Sequence, residues 1–249
     1  MSDTTDSASR YPGGHSLAGQ HVAIAGASSG VGLALARFAS AAGARLTLFA
    51  RDIPKLQAVT RTLPHVDARY LDLNKPLSIE EASLHMADVD HLVVTAGTSA
   101  LTPFTDTHVD QWRGIVEERV IGPLTLIKLL APQIRRSIVL FSGSIARRPT
   151  LGCAVLAAAT AAVEGLARAL SLELAPVRVN VVAPGALDTP MIDKILGSAK
   201  AQAFSHIAAS VPARRVGTAD DAAQAALFLM TNAYMSAATI EIDGGAKLV

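Results

Sequence analysis

Apolar residues along this chain follow two alternating rhythms. Short β-rich runs stand at HVAIAG (21–26), RLTLFA (45–50), VDARYL (66–71), HLVVTA (91–96), SIVLFS (137–142), RVNVVA (178–183) and TIEID (239–243). Between them lie longer segments whose apolar residues recur every three to four positions, as in VGLALARFASAAG, where Gly43 stops the helix. Runs such as LVV and IVLF have no polar face and fit strands buried on both sides. Strands spaced by helix-length segments require right-handed crossovers. The pattern therefore predicts an α/β fold: a doubly wound parallel β-sheet of about seven strands with helices on both faces. No repeat or linker follows residue 20, so 17–249 reads as one domain. Residues 190–212 break the rhythm and predict a lid over a ligand, while 1–16 read as a disordered polar tail.

Composition narrows the classes of function. Half of the 249 residues are hydrophobic but only 4% are aromatic, so Ala, Val and Leu must fill the interior. Lys plus Arg is 22 against 21 for Asp plus Glu, a balance that creates no field favouring nucleic acid or an anionic membrane. Cys153 has no second cysteine to pair with, and no Cys/His cluster has zinc-like spacing, so no metal site is expected. The N-terminus lacks the apolar core of a secretory signal, and no uninterrupted apolar run approaches the ~20 residues of a membrane span. A cytoplasmic protein is expected.

The first strand runs into AGASSGVG, which places Gly26, Gly30 and Gly32 at a strand-to-helix turn. Glycines there allow a sharp turn and close approach to a pyrophosphate, which sits at the positive end of the helix. Ser28 and Ser29 add hydroxyl donors, and Val31 lies between the last two glycines. The spacing differs from G-x-G-x-x-G, and an ordinary glycine-rich turn is the alternative. A nucleotide at this turn would make the sheet Rossmann-type.

Further motifs follow in order. GASSGVG, Asp72 and Leu73 after the third strand, TAG at 95–97, VRVNVVAPGALDTPM at 177–191, VPARRVGTADDAAQAALFL and the terminal IDGG resemble the motifs of the short-chain dehydrogenase/reductase family. The match runs from about residue 17 to the C-terminus. The resemblance implies that Asp72 contacts adenine and that Ala96 and Gly97 flank the cofactor, with Thr95 in place of an asparagine. It also implies that Pro184, Gly185 and Leu187 border the nicotinamide and that Thr189 holds its carboxamide. The second strand ends LFARD, so Ala50 stands where NAD-preferring members carry an acid, and Arg51 follows with a planar fork suited to phosphate. NADP(H) is therefore expected over NAD(H), a solvated Arg51 being the alternative.

Family members use a tyrosine for proton transfer, a lysine four residues later, a serine that binds the substrate oxygen and an asparagine supporting a water relay. The helix AAVEGLARALSLELAP (161–176) matches the segment after that lysine, which puts the lysine position at Thr160 and the tyrosine position at Leu156. IVLFSGS puts the serine position at Gly143, thirteen residues before Leu156, as the family interval requires. DQWRGIVEERVIGPL puts the asparagine position at Arg119. All four depart from the pattern. Tyr11, Tyr70 and Tyr234 are the only tyrosines, and none has a lysine four residues on. Losing a positioned general acid costs about 10²–10⁴ in rate.

The candidate catalytic groups that remain are Ser142, Ser144 and Arg119. Against these roles stand strand-end backbone caps for the serines and an ion pair to Glu117 or Glu118 for the arginine. Arg147 and Arg148 read as loop residues, Cys153 as a small apolar filler, and Lys194 and His206 as lid positions facing either substrate or solvent. Three functions stay open. One is atypical NADP(H)-dependent hydride transfer to or from a small carbonyl or alcohol. Another is a redox-silent NADP(H)-binding regulator or non-catalytic partner subunit. The third is a non-redox isomerase, lyase or cyclase. The resemblance further implies a homodimer or homotetramer built on two long helices, about 108–135 and 152–175.

Overall fold

The computed structural model describes residues 16–97 and 101–249. All but the last residue of the expected tail, Tyr11 included, lies outside these. Six strands follow in chain order: β1 (His21–Ala25), β2 (Arg45–Ala50), β3 (Val66–Tyr70), β4 (Val89–Val94), β5 (Ile134–Phe141) and β6 (Arg178–Pro184). Two short strands, β7 (Leu187–Asp188) and β8 (Gly217–Thr218), pair only with each other, and β9 (Thr239–Ile242) completes the main sheet. Its order is β3-β2-β1-β4-β5-β6-β9, parallel throughout. This is the expected Rossmann-type fold. The order reverses direction between β1 and β4, which opens a crevice at their carboxyl ends.

Helices α1 (Gly30–Ala41), α2 (Ile53–Thr60) and α9 (Ala219–Thr231) cover one face, with Leu35, Leu56 and Leu227 in its core. The other face is covered by α3 (Pro76–Ser83), α5 (Gly122–Leu130) and α6 (Ala154–Glu173), which bury Ile79, Leu126 and Val163. Helix α4 (Val109–Val116) runs into α5 through a π turn at Glu117–Ile121. At 20 residues α6 is long and apolar enough to cross a bilayer, but Leu156, Ala159, Val163 and Ala167 are buried in the protein. Gly43 ends α1 at φ +89°, in the left-handed region. The break in rhythm after residue 189 resolves into α7 (Pro190–Leu196) and α8 (Lys200–Ser210), neither of which buries a residue fully.

Strands β4 and β5 begin two and three residues before the apolar runs suggest. Asp90, Arg135 and Arg136 are among those positions, and ion pairs join the two segments, Arg135 with Asp88 just before β4 at 2.7 Å and Arg136 with Asp90 at 2.9 Å. Beside them His91 is buried, with Nδ1 2.8 Å from Ser137 Oγ and Nε2 2.7 Å from Gln20 Oε1. Burial pushes its pKa down to about 4, against the opposing pull of Asp90. A depressed folded-state value means that the unfolded chain takes up a proton near 6.5 that the folded chain refuses until about 4. Stability should thus be full above pH 6.5 and decline as pH falls towards 4, by on the order of 3 kcal/mol. Urea unfolding at stepped pH checks this, and His91→Gln should flatten the slope. An unchanged slope in that variant would assign the loss to other groups.

Candidate active site

The glycine turn is shaped by contacts that no side chain could share. Gly26 has φ +96°, and a Cβ on it would lie 2.8 Å from Ala96 N and from Thr95 Oγ1. A Cβ on Gly32 would overlap the carbonyl oxygen of Gly26. Thr95 Oγ1 donates to Ala25 O at 3.0 Å and to Gly26 O at 3.3 Å, so it ties β4 to β1 where the family signature has an asparagine. Ser29 caps α1 without a side-chain bond. The amides of Gly30, Val31 and Gly32 find no acceptor among the described residues. Those donors and the helix dipole open onto a cleft of about 1000 Å³ that Ser28 also lines.

Arg51, just past the end of β2, and Leu73 also line this cleft. Asp72 lies beside Leu73 at the start of the turn after β3. Its carboxylate accepts from Asn74 N at 3.1 Å and lies 3.7 Å from Lys75 Nζ, so it stabilises its own turn. The other expected cofactor residues, Ala96, Gly97, Pro184, Gly185, Leu187 and Thr189 among them, all line the cleft. Gly185 is required because a Cβ there would sit 2.9 Å from Asp243 Cα. Asp243 in turn accepts from the amides of Gly245 and Lys247, both at 2.9 Å, which folds the IDGG segment against the site. Thr189 caps α7 with no side-chain bond, leaving its hydroxyl available to a ligand amide.

The expected catalytic positions do converge. A Cβ on Gly143 would be 3.8 Å from Thr160 Cγ2, and Gly143, Leu156 and Thr160 all line the cleft. Gly143 and Leu156 bring no titratable group to this wall. Thr160 is 1% exposed, and its hydroxyl donates to the carbonyls of Leu156 and Ala157 at 2.9 Å. Ser142 is also committed: its hydroxyl donates to Glu164 at 3.0 Å, and Arg147 holds the same carboxylate through two nitrogens at 3.1 and 2.7 Å. Arg147 continues to Glu241 at 3.3 Å, so this loop arginine is part of a half-buried network. Ser144, in the next turn, lines the cleft with a hydroxyl that makes no hydrogen bond among the described residues.

Arg119 sits on the π turn. Gly122 N–H donates to Glu117 O, and Pro123 has no N–H to offer the Arg119 carbonyl, so the usual helical ladder breaks there. Its guanidinium covers Gly97, where a Cβ would lie 3.0 Å from Cζ. Burial lowers its pKa and Glu118 raises it, and a guanidinium stays charged regardless. Cys153 is buried with Sγ 2.8 Å from Thr150 O, as a filler. Arg148 donates to Ala246 O, and Lys194 and His206 line the cleft from α7 and α8. Two residues escaped the sequence reading, Thr95 as the tie behind the glycine turn and Glu118 as a partner of Arg51. Glu118 read only as a helical neighbour of Arg119, since pairing between elements leaves no spacing signal.

Glycine turn, crevice and nicotinamide segment together define a dinucleotide-binding oxidoreductase fold. A family model described as Enoyl-(Acyl carrier protein) reductase matches residues 26–247, and the chain belongs to the short-chain dehydrogenase/reductase family. It is similar to the short-chain dehydrogenase/reductase ATR9 of Stachybotrys chlorohalonatus, 29% identical over 93% of this chain and 98% of that one. A solved small-chain dehydrogenase in complex with NADPH is 27% identical, with a TM-score of 0.80 over 92% of this chain and 99% of that one. The MalC reductase/Diels-Alderase of Malbranchea aurantiaca is 26% identical, with a TM-score of 0.86 over 95% and 100%. Members of the family bind a nicotinamide cofactor.

Proposed function

We propose that this chain is an atypical NADP(H)-dependent oxidoreductase that moves hydride to or from a small carbonyl or alcohol without a Tyr–Lys pair. The observation that carries the reading is one continuous cleft joining the open amides of Gly30–Gly32 to Thr189, whose hydroxyl makes no hydrogen bond among the described residues. A protein that gripped only the adenosine half would have no use for the second. The dinucleotide would supply the hydride, and the chain supplies binding and charge. Gly30, Val31 and Gly32 hold the pyrophosphate, Arg51 reaches the 2′-phosphate, and Thr189 orients the carboxamide. Arg119 stabilises negative charge on the substrate oxygen, and Ser144 or water delivers the proton. Met191, Ile195 and Phe204 of the lid favour an apolar substrate body.

Purified chain with NADPH and a panel of carbonyl compounds should consume cofactor in step with alcohol formation. Arg119→Met should lower kcat/KM by about 10²-fold. A second reading is favoured by the apolar wall of Gly143, Leu156 and the internally bonded Thr160, together with the similarity to the MalC reductase/Diels-Alderase. It predicts product without cofactor consumption. Tight binding without either would leave a redox-silent module. Val109, Val116, Ile121 and Leu129 are exposed along the α4–α5 helix, which supports a homodimer or homotetramer there. Light scattering on purified chain reads that directly, and a monomer would remove it.

A further inference from the structure

We propose that Glu118 limits the preference for NADP(H) that Arg51 alone would confer, so that the two residues together set cofactor selectivity. This rests on the dinucleotide reading above. The last residue of β2 is Ala50, so the carboxylate that would bind a 2′-hydroxyl is missing from the usual strand end. A carboxylate reaches the same end of the cleft from the opposite wall. Glu118 Oε1 lies 3.5 Å from Arg51 Nη1, and both residues line the cleft.

The approach depends on local backbone. The π turn rotates Glu118 and Arg119 relative to a regular helix, and Gly122 lets the start of α5 press against the carbonyl of Leu73. A Cβ at 122 would overlap that oxygen, so only glycine allows this contact with Leu73, another residue of the cleft. The pair is asymmetric: the Glu118 side chain is 6% exposed and that of Arg51 is 54% exposed. Arg51 can turn towards solvent or a ligand while Glu118 stays in place. A 2′-phosphate on Arg51 must draw the guanidinium from Glu118 and approach a buried like charge. A 2′-hydroxyl meets no such opposition and can donate to the carboxylate. Selectivity is a difference between affinities, and a repulsive element on one side of it counts as much as an attractive one on the other.

The test titrates NADPH and NADH by calorimetry into the unaltered chain, Glu118→Gln, Arg51→Gln and the double variant, each checked for folding by its melting curve. Glu118→Gln should raise the NADPH:NADH affinity ratio about tenfold, as expected for removing one unfavourable charge contact. Arg51→Gln alters an exposed side chain and should lower the ratio. In the Arg51→Gln background, Glu118→Gln should raise the ratio by less, because only the direct effect of the carboxylate on the 2′-group remains. An unchanged ratio in Glu118→Gln, or an equal change without Arg51, would overturn the proposal while leaving dinucleotide binding intact. If Glu118→Gln does not fold, 2′,5′-ADP against 5′-AMP on the unaltered chain decides. Similar affinities support restraint by Glu118, and a hundredfold preference for the bisphosphate overturns it. Failure of both dinucleotides to bind the unaltered chain would overturn this inference and the proposed function together.

Discussion

The triple variant Gly143→Ser/Leu156→Tyr/Thr160→Lys is expected to reduce simple ketones with NADPH about 10²- to 10⁴-fold faster than the unaltered chain. The three positions already face one another across the cleft wall. A Cβ on Gly143 would meet only ordinary contacts, 3.6 Å from Ile145 and 3.8 Å from Thr160, so a serine fits without displacing backbone. Leu156 borders the cleft, and the extra volume of a tyrosine can project into it. Thr160 is 1% exposed but also reaches the wall, so a lysine there would extend its ammonium into the cavity, burying only its stem. Its charge would then stabilise the phenolate form of the new tyrosine and restore the missing acid–base pair. Single variants should gain much less, because each of these groups acts through the others. Steady-state kinetics on the folded triple variant is the measurement. Tight NADPH binding with no gain in rate would show that the remodelled site cannot bring a carbonyl to the hydride.

The second large effect concerns binding. Gly32→Ala should weaken dinucleotide affinity by about 100-fold or more, roughly 3 kcal/mol. Its new Cβ would overlap the carbonyl of Gly26 and lie 2.7 Å from Thr95 Oγ1, so the turn must open and the amide cradle with it. Gly114→Ala is the control: a Cβ there meets nothing within 4 Å, and alanine favours its helix. Calorimetric titration of both variants separates the two cases. Equal affinities would mean that the phosphates do not sit on this turn.

Much of the fold was legible because parallel strands buried on both faces must be continuously apolar. All seven apolar runs became strands of the main sheet. Where charges replaced that signal, at Asp90 and at Arg135–Arg136, the strand starts were missed. The two-residue strands β7 and β8 left no pattern to read, since they are too short for any period. Fixed spacing also singled out Gly143, Leu156 and Thr160, and all three line the same cleft.

What spacing could not show was where side chains direct their hydrogen bonds. Ser142 read as a candidate for the substrate oxygen, yet its proton goes to Glu164, on a helix 22 residues away. Asp72 accepts a hydrogen bond from Asn74 of its own loop, which its place in the motif does not reveal. The sequence by itself determined the sheet, the glycine turn and the absence of any tyrosine with a lysine four residues on, because each is a matter of residue type at a fixed interval. Only the tertiary structure decided that Thr95 braces the turn, that a π turn carries Arg119 onto Gly97, and that Glu118 meets Arg51. Those are contacts between elements distant in the chain, and their geometry exists only once the helices have packed on the sheet.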